Sequence, residues 1–189
     1  VVAPSADNPD YTVLGDPTEA CLNVLAEKAG IDLNDNHNWA PRIKEIPFDS
    51  DRKRMTTVHS LEKSLDGSHH ISITKGAPKE VMELCSDYSD GQGAIKSMTA
   101  TERQAILAAN DQFARDGLRV LAVAYRPLES EDIREDKWDM RTLEEDMVFV
   151  GLVAMSDPPR QGVREAIEQC HRASIRKIGR ATSELQSLR

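Results

Sequence analysis

A short run near the middle of the chain, Ile71-Ser72-Ile73-Thr74-Lys75-Gly76-Ala77-Pro78-Lys79-Glu80, limits the possible folds most. Residues two apart on a strand share a face, so Ile71 and Ile73 are expected to carry Lys75 to their own, inner face, and Gly76 removes the side chain beside it. Pro78 suits the first turn of a helix, where its missing N–H is not needed, and Val81, Met82, Leu84 and Cys85 follow at helical spacing. The expectation is a strand that delivers an ammonium into a concavity, with a helix leading away to about Cys85. Such a lysine wants an anion or an aromatic face; the alternative at this point is a surface turn with a solvated lysine.

At 189 residues the chain is long enough for one domain with a real core. Its net charge of −8 and pI near 5.2 argue against nucleic acid as a partner, which needs a basic stripe to neutralise phosphates. Any phosphate must be met by local lysines and arginines. No apolar run approaches the roughly 18 residues of a membrane span and no signal-like segment occurs, so these residues are expected in water, off the membrane. Cys21, Cys85 and Cys170 are odd in number, far apart and set in apolar helical patterns; core packing in a reducing compartment is expected, not a bridge or a metal site. The first residue is Val1, and an excised piece of a longer chain is expected.

Val1 to Tyr11 reads as a loose opening segment. Asp16 is placed to cap a helix that begins at Pro17 and runs to about Ala29, with Leu22, Leu25, Ala26 and Ala29 as its apolar stripe and Gly30 as its stop. Glu19 falls in its first turn, where a carboxylate favours the helix dipole. Ile43 to Val58 reads as two strands around the charged turn Asp49-Ser50-Asp51-Arg52-Lys53-Arg54, with Ile46 and Phe48 on one face. The hairpin brings Phe48 near Met55, with Lys53 close by. Only three Phe, three Tyr and two Trp occur, so an aromatic beside a polar turn is a poor use of core material; core packing of Phe48 stays open as the alternative. Leu61 to His70 reads as a loop with a turn at Gly67, its His69 and His70 solvated rather than ligands.

Ser86 to Ser97 reads as a connector, followed by a helix over Glu102 to Asp116 capped by Thr99 or Thr101, with Ile106, Leu107, Asn110 and Phe113-Ala114 on its inner face. Leu118 to Tyr125 is an apolar strand expected at the centre of a sheet, in which Arg119 must find a counter-charge or reach solvent. Pro127 to Glu145 reads as charged, irregular and solvated. Met147 to Met155 is a last buried strand, and Asp157-Pro158-Pro159-Arg160 a stiff corner before a helix from about Gln161 to Arg172.

Gly15-Asp16-Pro17-Thr18-Glu19, Pro47-Phe48-Asp49-Ser50-Asp51-Arg52-Lys53-Arg54-Met55, Lys75-Gly76-Ala77-Pro78, Leu118-Arg119-Val120-Leu121-Ala122 and Asp157-Pro158-Pro159-Arg160 occur in this order. Together they resemble the nucleotide-binding domain of P-type cation-transporting ATPases, most closely the calcium-pump-like branch, from about Tyr11 to Ile178. The resemblance implies an α/β (α+β) fold, a twisted, mainly antiparallel sheet flanked by helical hairpins, forming the cytoplasmic domain of an integral membrane protein. It implies a division into 1–156 as nucleotide-binding domain, 157–178 as hinge return and truncated start of the phosphorylation segment, and 179–189 as a non-native tail.

The resemblance also implies roles. Phe48 would stack on adenine, Lys75 approach the base or phosphates, Glu19 hydrogen-bond at the adenine end and Lys53 help close the site. Arg119 would lie near the phosphates or bridge to the phosphorylation domain; Met55 and Leu121 would be apolar wall beside Gly76 and Ala77. Asp157, Pro158, Pro159 and Arg160 would be the hinge. An aromatic face, two ammonium groups, a guanidinium and an acceptor suit ATP or ADP. Mg²⁺ would be held mainly by the phosphorylation domain, which with the actuator domain is the implied partner.

Two features depart from the family. Lys79 stands where a glutamate is usual, and Glu80 is positioned to substitute. The Asp-Lys-Thr-Gly-Thr and Thr-Gly-Asp motifs do not occur, so this piece is expected to bind nucleotide without forming an aspartyl-phosphate. The competing readings are a non-catalytic interaction domain with a side-chain-filled pocket and, third, a self-sufficient nucleotide hydrolase.

Overall fold

The computed structural model describes residues 2–5, 8–13, 17–31, 40–129, 132–133, 140–156 and 162–175, with side chains described from Thr18 onward except that of Glu19. Two compact units divide the chain, Val1–Met155 and Ser156–Arg189. The first opens with β1 (Val2–Ser5) and β2 (Asn8–Val13), an antiparallel pair where a loose segment was expected. In a two-stranded ribbon every strand is an edge, so Pro4 and Pro9 can be accommodated without a donor on the ladder. Helix α1 (Pro17–Lys28) follows. Its buried stripe is narrower than the spacing predicts: Ala20 is buried and Leu22 and Ala26 half-buried, but Leu25 is 48% exposed and Ala29 lies in the open.

Three antiparallel strands come next, β3 (Arg42–Asp49), β4 (Arg54–Leu65) and β5 (Ser68–Gly76). Asp66 and Gly67 join the last two at φ of 53° and 87°, the left-handed two-residue turn whose twist matches its strands. The loop expected at Leu61 to His70 is therefore a hairpin; the polar residues that read as loop are exposed strand ends. After β5 come α2 (Pro78–Met82), β6 (Cys85–Ser89) and β7 (Ile95–Ser97). Helix α2 stops earlier than its periodicity predicts because the chain turns into the sheet, where Leu84 O accepts the N–H of Met147 at 2.9 Å. The expected connector over Ser86 to Ser97 is likewise a hairpin, closed by Asp90, whose Oδ1 accepts the N–H groups of Gln92 (2.9 Å) and Ala94 (3.2 Å).

Helix α3 (Ala100–Arg115), β8 (Arg119–Leu128), α4 (Met140–Leu143) and β9 (Met147–Met155) complete this unit. The strand order is β3-β4-β5-β8-β9-β6-β7, antiparallel except between β6 and β9, so the fold is α/β with a mainly antiparallel sheet and β8 at its middle. Ile106, Leu107, Asn110 and Phe113 of α3 are half-buried, while Ala114 is exposed. Val81, Met82 and Cys85 pack with Ala122, Ala124, Met147 and Phe149 as the main core. The second unit holds α5 (Val163–Arg172), entered through Gly162 at φ 79°.

The two faces of the sheet are assigned the opposite way to the sequence pattern. Thr56, Thr74 and Ala124 are cross-strand neighbours and fully buried, as are Val58 and Ser72. Ile71 is buried, but Ile73 and Lys75 are only half-buried, on the more open face with Met55 and Val123. Small polar residues fill the covered face because their hydroxyls are satisfied there. Thr56 and Thr74 Oγ1 atoms lie 2.7 Å apart, Thr56 donates to Glu144 Oε1 at 2.7 Å, and Ser72 donates to Leu143 O at 2.8 Å. A carboxylate only accepts, so Thr56 spends its proton on Glu144 and takes one from Thr74.

Candidate functional site

The turn between β3 and β4 is built by its own side chains. Asp49 Oδ1 accepts the N–H groups of Asp51 (2.9 Å) and Arg52 (2.8 Å), and Asp49 O accepts that of Lys53 (2.7 Å). The N–H group of Arg52, then burial acting the other way, then that of Asp51 leave the Asp49 carboxyl below its usual range. Lys53 closes the turn at φ 52°, a left-handed conformation that costs a non-glycine residue roughly 1–2 kcal/mol. The turn is then tied to the end of β5, because the N–H of Ala77 donates to Lys53 O at 2.9 Å. Gly76 permits this approach: a Cβ there would stand 2.5 Å from Lys53 O and 2.6 Å from Arg54 Cβ. What glycine makes room for is the neighbouring hairpin, not only Lys75.

Ile46 and Phe48 do not share a face. The register slips between Ile46, opposite Thr56, and Asp49, opposite Arg54. A bulge at Pro47-Phe48 takes up one extra residue, and a proline on an edge strand is a natural place for it. Ile46 consequently packs against the core of Val58, Leu128 and Leu143, whereas Phe48 is 63% exposed. The core-packing alternative for Phe48 is thereby overturned.

Phe48, Lys53, Met55, Lys75, Gly76, Ala77 and Leu121 line one open cavity of about 360 Å³, together with Thr18 and Val120. That volume lies at the lower end of the roughly 300–1,000 Å³ usual for small-molecule sites. Arg119 is exposed at the start of β8 and donates from Nη1 to Thr18 Oγ1 at 3.1 Å, beside the cavity rather than in its lining. The expectation that it must pair or reach solvent is met by solvent. Glu19 lies in α1, its side chain outside the described residues, and Asp157, Pro158, Pro159 and Arg160 also fall outside them. Thr18 and Val120 were not singled out from the sequence; each adjoins a residue that was.

Lys53 Nζ is 2.6 Å from Oε1 of Glu80, the acid that follows Lys79 on α2. The hydrogen bond and charge of Glu80 hold the Lys53 ammonium above its ordinary pKa, and the hydrogen bond from Lys53 holds the Glu80 carboxyl below its own.

The arginines flanking Lys53 turn the other way. Glu144, expected in a solvated stretch, is 4% exposed. It accepts from Arg52 Nη2 and, at 2.9 Å, from Arg54 Nε. Two guanidiniums and the Thr56 hydroxyl make burial of this carboxylate tolerable, where an unpaired one would be very costly. Among the described residues no buried side-chain nitrogen or oxygen lacks a hydrogen-bond partner.

The mixed α/β fold with its mainly antiparallel seven-stranded sheet agrees with what comparison with known proteins finds. Residues 1–162 match the family described as P-type ATPase, cytoplasmic domain N, and the chain belongs to that family. It is 37% identical over 164 residues to calcium-transporting ATPase 1 of Bacillus cereus, covering 87% of this chain and 17% of that protein. It is also 37% identical over 171 residues to the calcium-transporting ATPase of Bacillus subtilis (89% and 18%). Cation-transporting ATPase pma1 of Synechocystis is 34% identical over 168 residues (88% and 17%). The chain thus spans less than a fifth of the length of these relatives.

Proposed function

We propose that the cavity binds the adenine end of ATP and that, in an intact pump, this domain presents the γ-phosphate to an aspartate of a separate domain. The observation that carries the reading is Phe48, a large aromatic left 63% exposed on the wall of an open cavity. A planar base stacks on such a face, with Met55 and Leu121 as apolar wall beside Gly76 and Ala77. Lys75 then approaches base or phosphates, Lys53 helps close the site, and Glu19 serves the adenine end. Arg119, beside Thr18, serves the phosphates or the phosphorylation domain.

In this reading the attacking carboxylate forms the bond to the γ-phosphorus while ADP leaves, and catalysis rests on positioning and charge stabilisation. Mg²⁺ supplies charge neutralisation in the whole pump and is assigned mainly to the phosphorylation domain. Among the described residues no group of three or more His, Cys, Asp or Glu is arranged to hold a metal. The reading also assigns residues 1–156 to the nucleotide domain, Asp157 to Arg160 to a hinge opening the return segment 157–178, and 179–189 to a non-native tail. The phosphorylation and actuator domains are its partners, on the cytoplasmic side of a membrane protein. The transported ion is calcium, by analogy with the names of two of the relatives.

Calorimetric titration tests the reading. ATP and ADP are expected to bind alike, with Kd on the order of 0.1–1 mM, about −4 to −5.5 kcal/mol, and with little effect of Mg²⁺. Absence of saturable binding at millimolar nucleotide overturns it.

A further inference from the structure

Every cation of the run Arg52-Lys53-Arg54 is matched to a carboxylate. Arg52 and Arg54 are held by the buried Glu144, and they do not line the cavity. Lys53 does line the cavity, and its ammonium sits 2.6 Å from Glu80 on α2. Glu80 is 26% exposed at its side chain and Lys53 57%, so the pair stands in water at the cavity rather than locked in the core.

We infer that Glu80 is a specificity-determining residue of this site: its carboxylate competes with nucleotide phosphates for the Lys53 ammonium and so lowers the preference for nucleotide over nucleoside. The inference rests on the nucleotide reading above and adds a role for a residue outside the cavity lining. An ammonium has three donors, and Glu80 takes one. The larger effect is on charge: a phosphate approaching Lys53 meets an almost neutral pair and must bring its own anionic oxygens close to another anion. Adenosine carries no phosphate and meets neither the attraction nor the repulsion.

The test compares ATP, ADP and adenosine binding to the same chain by calorimetry, in wild type and in Glu80→Gln. The amide keeps the size of the side chain and removes its charge. ATP affinity is expected to rise about three- to ten-fold at low salt, the scale of one screened charge–charge contact, with ADP rising less and adenosine unchanged. The gain shrinks as salt is raised, because the pair is exposed. In the Lys53→Gln background Glu80→Gln should give a smaller gain, since competition for the ammonium is gone and only relief of the Glu80–phosphate repulsion remains. Glu80→Ser repeats the comparison if the amide perturbs folding, which thermal unfolding reports. An unchanged ratio of ATP to adenosine affinity, or weaker ATP binding in Glu80→Gln, overturns the inference and makes Glu80 a mere support for Lys53. Failure of wild type to bind ATP and adenosine at all removes the nucleotide reading, and this inference with it.

Discussion

Arg54 Nε and Glu144 Oε2 meet at 2.9 Å although the two residues stand 90 positions apart in sequence. With Arg52 on the other oxygen, this contact holds both residues that flank Lys53 to the covered side of the sheet, while Lys53 lines the cavity. The three-residue cationic run is thus sorted by one buried acid.

Removing that acid should be expensive. Glu144→Ala leaves two guanidiniums without their partner in a largely buried place, a change that typically costs about 3–5 kcal/mol. Urea unfolding of the variant should show the midpoint falling with little change in slope. A loss below about 1 kcal/mol would mean that the arginines find water instead.

Phe48→Ala should weaken adenine-nucleotide binding by about 1–3 kcal/mol, the scale of one base–aromatic stack. Melting temperature should barely move, since the side chain is 63% exposed. A core aromatic would instead lose about 3–5 kcal/mol of stability. Both quantities measured on one protein separate the two roles.

Lys75 should be the lysine most strongly protected by ATP from planar, amine-directed reagents, because the nucleotide occupies the reagent's place on the cavity wall. Lys53 should react more slowly, since Glu80 holds its ammonium protonated and the reagent needs the neutral amine. Peptide mapping after limited labelling, with and without several millimolar ATP, gives the order; labelling of Lys75 that ignores ATP would remove it from the site.

Cys85 should resist alkylation in the folded protein. Burial pushes its thiol up to about 12, against an opposing effect of Arg103, and its Sγ donates to Val81 O at 3.2 Å. The half-buried Cys21 and Cys170 should be modified first. The same shift fixes the sign of an alkaline effect. The unfolded chain loses this proton near 9.0 and the folded chain near 12, so the contribution is complete below about pH 9 and is lost as pH rises toward 12. Thermal melts across that range, compared with Cys85→Ala, isolate it.

Local chemistry was enough to read several elements from the chain alone. Met147 to Met155 is a strand with those ends because its apolar run is bounded by polar residues and prolines. The strand ending at Lys75-Gly76 and the helix opening at Pro78 follow from alternation and from proline's fixed geometry. Phe48, Lys53, Met55 and Lys75 were recognisable as a group because hairpin pairing and family resemblance both place them together.

Other features depended on partners distant in sequence. The Asp66-Gly67 and Asp90 to Ala94 hairpins carry polar strands that look like loop until a neighbouring strand supplies their ladder bonds. Phe48 reaches the cavity through a bulge, and a slip of one residue leaves no mark on the hydrophobic pattern. Glu144 reads as one acid in an acidic stretch, yet the fold buries it because Arg52, Arg54 and Thr56 arrive from another strand. That satisfied polar cluster is what lets threonine and serine fill the covered face of β4 and β5, leaving the face with Met55 and Lys75 for the cavity. Alternation along a strand says which residues go together; only the charges packed against the sheet decide which side is inside.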